Sequence, residues 1–159
     1  MGLDAYVLCA CFREGKTKPH PLPDLLIDDA IYGPGLDQSA APTLEQWLLH
    51  DRWRLDACEH KNGELIHKRL GNMSWIGAVR ADVESIERTS SSRFPLVLDK
   101  VVFDGTHSGD WIPPGDVPEL SNEVSALREF VLDEFLSDFV RSMSELCEAS
   151  LKTGNPILF

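Results

Sequence analysis

The residues best suited to hold a metal ion form two pairs, and one residue separates the members of each pair. They are Cys9 with Cys11, and Cys58 with His60. Thiolate sulfur and imidazole nitrogen are the ligands that structural zinc sites use. One intervening residue on a strand is a poor spacing, because zinc ribbons generally place about two to four residues between paired cysteines. The alternative is that Cys9 and Cys11 are reduced, buried and act as small hydrophobic residues.

A second group of polar side chains lies at residues 104–111, which read D-G-T-H-S-G-D-W. His107 and Asp110 offer an imidazole and a carboxylate that could bind a metal or act as acid and base. The alternative, which we favour over catalysis, is a turn in which Asp110 accepts backbone N–H groups and Trp111 packs over the core. We predict that His107, Asp110 and Trp111 form a binding surface.

A third group, residues 50–53, closes the first predicted helix. A histidine in a last helical turn interacts favourably with the helix dipole, and tryptophan is a common interface anchor. His50 and Trp53 are therefore candidate binding residues. The alternative is an ordinary helix end whose tryptophan belongs to the core.

Evidence for catalysis is weak. A nucleophilic Cys58 beside His60 or His107 matches no local cysteine-hydrolase signature. The glycine-rich nucleotide motif, the P-loop, H-E-x-x-H and G-x-S-x-G are also missing from the sequence. We predict no catalytic residue and favour a protein that is not an enzyme.

The chain of 159 residues carries a net charge of −11, and most of the acidic excess lies in its second half. Such a field repels nucleic acid and anionic lipid and attracts cationic partners. It favours a basic protein partner, with Glu134 and Asp138 on the outer face of the last helix. The alternative is a solvated acidic surface without a partner. We expect a cytoplasmic protein because neither a membrane span nor a secretory signal is evident.

Strand patterns predict three segments of extended chain. They are residues 3–12, with Cys9 and Cys11 on one face, residues 64–70, which could also form a helix, and a mostly buried strand that starts at residue 94 and leads to the loop before Ile112. Lys61, Asn62 and Gly63 resemble a hairpin turn ahead of the second segment. The last three residues, Ile157 to Phe159, are apolar and should dock against the sheet.

Helical patterns predict three or four helices. Thr43 and Gln46 form a capping box for a helix to about Trp53, with Leu44, Trp47 and Leu48 on one face. Asn72 can cap a second helix. Ser121 can cap a third region, which spans residues 124–151, bends near residues 132–134 and ends at Gly154. The prediction is a single α+β domain over residues 1–159, with a mixed sheet of about four to five strands.

The two ends of the chain resemble a family of small uncharacterised bacterial proteins. The residues concerned are M-G-L-D-A-Y-V-L-C-A-C-F at the start, D-G-T-H-S-G-D-W at 104–111 and C-E-A-S-L-K-T-G-N-P-I-L-F at the end. This resemblance covers most of the chain and implies no activity and no catalytic residue. In size and acidity the chain is similar to immunity proteins, which neutralise bacterial toxins.

The sequence therefore predicts a small acidic binding protein, an immunity-type inhibitor of a basic toxin or enzyme, and leaves homodimerisation open. No cofactor is required for that function. The alternative is a small metal-dependent enzyme or a zinc-stabilised domain that uses the Cys and His groups, or His107 with Asp110.

Overall fold

The computed structural model describes residues 2–103, 110–130 and 133–159. The strands are β1 (Gly2–Leu8), β2 (Leu26–Asp29), β3 (Gly33–Leu36), β4 (Glu64–Asn72), β5 (Trp111–Ile112) and β6 (Ile157–Leu158). The helices are α1 (Leu44–Asp56), α2 (Met73–Thr89), α3 (Val117–Leu127) and α4 (Glu134–Thr153). The prediction of an α+β fold is confirmed, and the larger sheet is antiparallel.

The chain divides into two units. The core unit comprises Met1–Val7 and Ile66–Phe159, and the inserted unit comprises Leu8–Leu65. Both boundaries fall inside strands, β1 and β4. That all 159 residues form one domain stays a prediction.

The four-stranded sheet has the order β4-β1-β6-β5. The short strand β6 is paired on both sides, because Leu158 lies opposite Tyr6 of β1 and opposite Trp111 of β5. Ile157 and Leu158 are almost completely buried, and the Phe159 N–H donates to the Asp110 carbonyl over 3.0 Å. The predicted docking of the last three residues is confirmed.

The helices of the core unit cover the sheet with apolar faces at helical spacing. In α2 the buried residues are Ile76, Val79, Val83 and Ile86, and the Asn72 side chain accepts the Trp75 N–H at 3.0 Å. In α4 the buried positions include Leu136, Phe139, Val140, Met143 and Leu146, and Gly154 ends the helix at a φ of 69°. The predicted caps at Asn72 and Gly154 are confirmed. The apolar repeat of α4 also predicts that Phe135 is buried, but it is 41% exposed and packs on Trp75 at the surface.

The predicted buried strand that begins at residue 94 is wrong. Residues 95 and 96 are helical and Val97–Val101 continue as a π-type turn. The buried side chains recur at three- and one-residue steps, which is a helical repeat: Phe94, Val97, Leu98, Val101 and Val102. Because most residues of this segment are apolar, the sequence did not show the helical repeat. Among the described residues of this stretch, only Trp111 and Ile112 pair as a strand.

Other boundaries also differ from the prediction. The strand predicted to reach residue 12 ends at Leu8, and α3 begins after Asp116 rather than after Ser121. The Pro118 ring suits the first turn of a helix, which explains the earlier start. The capping box of Thr43 with Gln46 is confirmed, but Leu44 and Leu48 are exposed, whereas His50 and Trp53 are buried.

No helix in the described part of the chain is both long enough and apolar enough to cross a membrane.

Candidate metal centre

The first ligand pair lies in a turn of the inserted unit. Because β1 ends at Leu8, Cys9 and Cys11 leave the extended conformation in which one intervening residue would be a poor spacing. The turn closes with two backbone hydrogen bonds, from the Glu14 N–H to the Ala10 carbonyl and from the Lys16 N–H to the Cys11 carbonyl. Both thiols can therefore reach one point.

The second pair lies in the turn that leads from α1 to β4. Its chain reversal needs left-handed backbone at Asn62, with a φ of 58°, and at Gly63, with a φ of 73°. Asparagine and glycine adopt this conformation at lower cost than other residues. The Gly63 carbonyl accepts the Cys9 N–H over 2.7 Å, which fixes the two turns against each other.

The four side chains meet at this junction. The Cys9 and Cys58 sulfurs lie 3.7 Å apart, and His60 Nδ1 lies 3.3 Å from the Cys11 sulfur and 3.9 Å from the Cys58 sulfur. All four ligand atoms lie within 4.8 Å of one another. The group is close enough to bind a metal ion.

Three of these separations are close to the edges of a tetrahedron around zinc. With Zn–S bonds of about 2.3 Å and a Zn–N bond of about 2.0 Å, sulfur atoms lie about 3.8 Å apart and sulfur and nitrogen about 3.5 Å apart. The Cys9–Cys58, Cys11–His60 and Cys58–His60 separations lie within a few tenths of an ångström of these values. The remaining pairs lie no more than 4.8 Å apart, about 1 Å beyond a tetrahedral edge at most.

The surroundings of Cys9 and Cys11 favour protonated thiols unless a cation is bound. Burial raises the pKa of the Cys9 thiol. Burial, with hydrogen bonds to the Cys9 and Cys58 thiols, raises the pKa of Cys11 to about 12. Thiolate charges this close repel one another, and a divalent cation removes that repulsion and replaces the protons.

The structure brings the four predicted ligand residues together, and their burial differs from one expectation. Cys11 is buried, but Cys9 is only half-buried, so the expectation that both are buried is wrong for Cys9. Cys9 lies beside a small apolar cavity of ≈ 30 Å³ that Phe12 and Trp53 also line. The fourth cysteine, Cys147, is buried in α4 of the core unit.

The other predicted site residues lie apart from this cluster. His107 is outside the described residues. Asp110 and Trp111 line an open groove of ≈ 460 Å³ in the core unit. Glu134 is exposed in the first turn of α4, and Asp138 is paired with Arg141 at 2.7 Å.

His50 and Trp53 lie in the inserted unit and are both buried. The Trp53 indole N–H donates to the Lys18 carbonyl at 3.0 Å, and its ring packs edge-on against Phe12. Sequence reasoning missed His20, whose Nε2 lies 3.1 Å from His50 Nδ1. The signal was weak, because His20 stands in a proline-rich connector whose path follows from no local pattern.

Comparisons of the chain with protein-family models, with curated proteins and with solved structures find no match. The geometry of the described residues is therefore the evidence for a function.

Proposed function

We propose that the inserted unit is a small zinc-binding domain whose metal holds its fold together. The zinc ligands are the Sγ atoms of three cysteines and one imidazole nitrogen: Cys9, Cys11, Cys58 and His60 Nδ1. The observation that supports this proposal is the convergence of all four atoms within 4.8 Å. The role of the protein beyond this domain is a separate question.

The choice of zinc follows from the ligand set. Three thiolates and one imidazole in a tetrahedral arrangement suit a borderline-soft ion without a geometric preference of its own. Calcium and magnesium require oxygen ligands, and none is among the four. A set of four protein ligands is typical of structural rather than catalytic zinc, since catalytic sites keep a position for water or substrate.

The inserted unit has a physical need for such a metal. Its buried apolar residues are few: Leu8, Cys11, Leu36, Trp53 and Ala57. A unit of fewer than about 70–80 residues rarely gains enough stability from its core alone. The metal would join two turns that are 49 residues apart in sequence, and closing a long loop restricts the unfolded chain most.

Metal analysis of protein purified without a polyhistidine tag tests this proposal. We expect about one zinc ion per chain for the wild type. Cys58→Ser and Cys11→Ser should each lose most of the zinc, because removal of one ligand from a closed set opens the site to water. Both variants should also melt at least several degrees lower than the wild type.

Cys147→Ala is the matched control. This substitution removes a buried thiol outside the cluster, so zinc content should be unchanged while packing weakens by about 1 kcal/mol. Wild-type protein that contains no zinc and takes up none after refolding with the metal would contradict the proposal. Equal zinc content in Cys58→Ser and the wild type would also contradict it.

A further inference from the structure

The inserted unit contains a second place with the features of a binding site. An open groove of ≈ 510 Å³ lies between α1 and the β2–β3 hairpin. Ligand sites usually have volumes of about 300–1,000 Å³. None of the four proposed zinc ligands lines this groove.

One face of α1 forms a wall of the groove. Trp47, His50, Asp51 and Arg54 all line it, and they occupy positions i, i+3, i+4 and i+7 of the helix. Side chains at this spacing project from the same side of a helix. An aromatic ring, an imidazole, a carboxylate and a guanidinium are therefore presented together.

Hydrogen bonds assign the position of the proton on His50. The Leu22 N–H donates to His20 Nδ1 at 3.0 Å, so the ring proton of neutral His20 is on Nε2. That Nε2–H donates to His50 Nδ1 at 3.1 Å. His50 consequently carries its own proton on Nε2.

The Nε2–H of His50 has no acceptor among the residues that the structure describes. The side chain is only 2% exposed and its Nδ1 is occupied by His20, which does not line the groove. Nε2 is thus the ring nitrogen left for the groove. A buried donor without an acceptor is uncommon in folded proteins, and a ligand atom would supply the missing partner.

Arg54 is the one positively charged side chain among the described residues that line the groove, which also include Asp29, Asp37 and Asp51. Arg54 forms no ion pair with any described residue. Asp29 accepts the N–H groups of Ile31 and Tyr32, and Asp37 accepts from Ser39, so both of these carboxylates are held in turns. The groove is acidic as a whole, and an anion would have to bind beside Arg54, on the face of α1 that also presents His50.

We propose that this groove binds a carboxylate attached to an aromatic or aliphatic body. The His50 Nε2–H and the Arg54 guanidinium bind the carboxylate, which accepts from both. The body of the ligand packs against the rings of Trp47 and Tyr32, of which Tyr32 is 45% exposed. The carboxylate belongs either to a free small acid or to the C-terminal residue of a peptide.

An NMR titration of the ¹⁵N-labelled protein with phenylacetate tests this proposal. We expect saturable shifts of the Trp47 indole and of amides along α1 and the β2–β3 hairpin, with a Kd of about 1–5 mM for so small a probe. Arg54→Gln should weaken binding at least tenfold. Arg52→Gln, an exposed substitution on another face of α1, should leave the Kd unchanged.

Phenylacetamide, which keeps the ring but lacks the negative charge, should produce no saturable shifts. A short peptide ending in phenylalanine, compared with its C-terminal amide, distinguishes the two sources of the carboxylate, a free small acid and a peptide C-terminus. Tighter binding of the free-acid peptide than of phenylacetate identifies a peptide terminus, and weaker binding identifies a small acid. No saturation by phenylacetate or by the free-acid peptide, or an unchanged Kd in Arg54→Gln, would overturn the proposal.

Discussion

At the residue scale, backbone hydrogen bonds hold the proposed zinc ligands in position. The Cys9 N–H donates to the Gly63 carbonyl, and the Gly63 N–H donates to the His60 carbonyl. The Lys16 N–H donates to the Cys11 carbonyl. Ligands that are oriented by surrounding hydrogen bonds bind a metal with less rearrangement. The turns around the cluster are thus part of the site, although none of their other side chains ligates the metal.

The His20–His50 pair gives the stability of the protein a pH dependence. Burial lowers the pKa of both rings in the folded state, while the unfolded chain keeps values of about 6.5. A proton added below that pH therefore binds more readily to the unfolded chain. The stabilisation that neutral histidines provide is complete above about pH 6.5 and decreases as the pH falls towards 5.

Urea unfolding at pH 7.5 and pH 5.5 measures this effect. The free energy of unfolding of the wild type should fall over this range by more than that of His20→Asn/His50→Gln, in which neither group titrates. The proposed zinc ligands are common to both proteins. The difference between their changes in unfolding free energy from pH 7.5 to pH 5.5 therefore isolates the histidine pair. Equal changes in the two proteins would show that His20 and His50 titrate alike in the folded and unfolded chains.

Residue types alone were enough to identify the four candidate zinc ligands. Their convergence could not be predicted, because it depends on β1 ending at Leu8 and on the left-handed turn at Asn62 and Gly63. These features depend on backbone hydrogen bonds between segments about 50 residues apart. The role of His20 depends on such long-range contacts as well.

At the element scale, the segment from Phe94 to Phe103 shows how side chains from helices can replace missing backbone partners. The buried carboxylate of Glu123 in α3 accepts the N–H groups of Leu96 at 3.1 Å and Val97 at 2.9 Å. At the other end, the Arg80 guanidinium of α2 donates to the carbonyls of Leu98, Val102 and Phe103. The Glu87 side chain also accepts the Phe94 N–H at 2.7 Å. Acidic side chains therefore satisfy the first N–H groups of this helical segment, and a basic side chain satisfies its last carbonyls.

Glu123→Ala should lower the free energy of unfolding by about 2–4 kcal/mol, because it leaves two N–H groups without an acceptor. Glu119→Ala, at an exposed position one turn earlier on α3, is the control and should change stability by less than about 0.5 kcal/mol. Thermal or urea unfolding of the two variants gives both values. A similar small effect for both would mean that water satisfies the N–H groups and that the carboxylate does not stabilise the segment.

Capped helices were the elements that the sequence predicted best. Thr43 and Asn72 are local caps whose signals lie within a few consecutive residues, and Asn72 is followed by an apolar repeat that is buried. The prediction for the segment after Phe94 was wrong because its apolar density fits a buried strand as well as a helix. The partner that decides between them, Glu123, lies 26 residues later than Val97.

At the scale of the whole molecule, the net charge of −11 remains without an assigned partner. An immunity-type inhibitor that binds a basic protein stays a prediction, as do the cytoplasmic location and the absence of catalysis. Glu134 is exposed, which is compatible with a solvated acidic surface, and Asp138 is already paired with Arg141. The Cys and His cluster and the groove beside α1 both belong to the inserted unit, Leu8–Leu65.

X-ray absorption at the zinc edge of tag-free protein tests the central claim most directly. We expect a first shell of three sulfur atoms at about 2.3 Å and one nitrogen at about 2.0 Å, with the outer-shell scattering of a single imidazole. His60→Ala should lose most of its zinc, and the zinc that it retains should show the three sulfurs without the imidazole scattering. A shell of oxygen and nitrogen only, or the same spectrum in Cys9→Ser and the wild type, would contradict the assignment of zinc to this cluster.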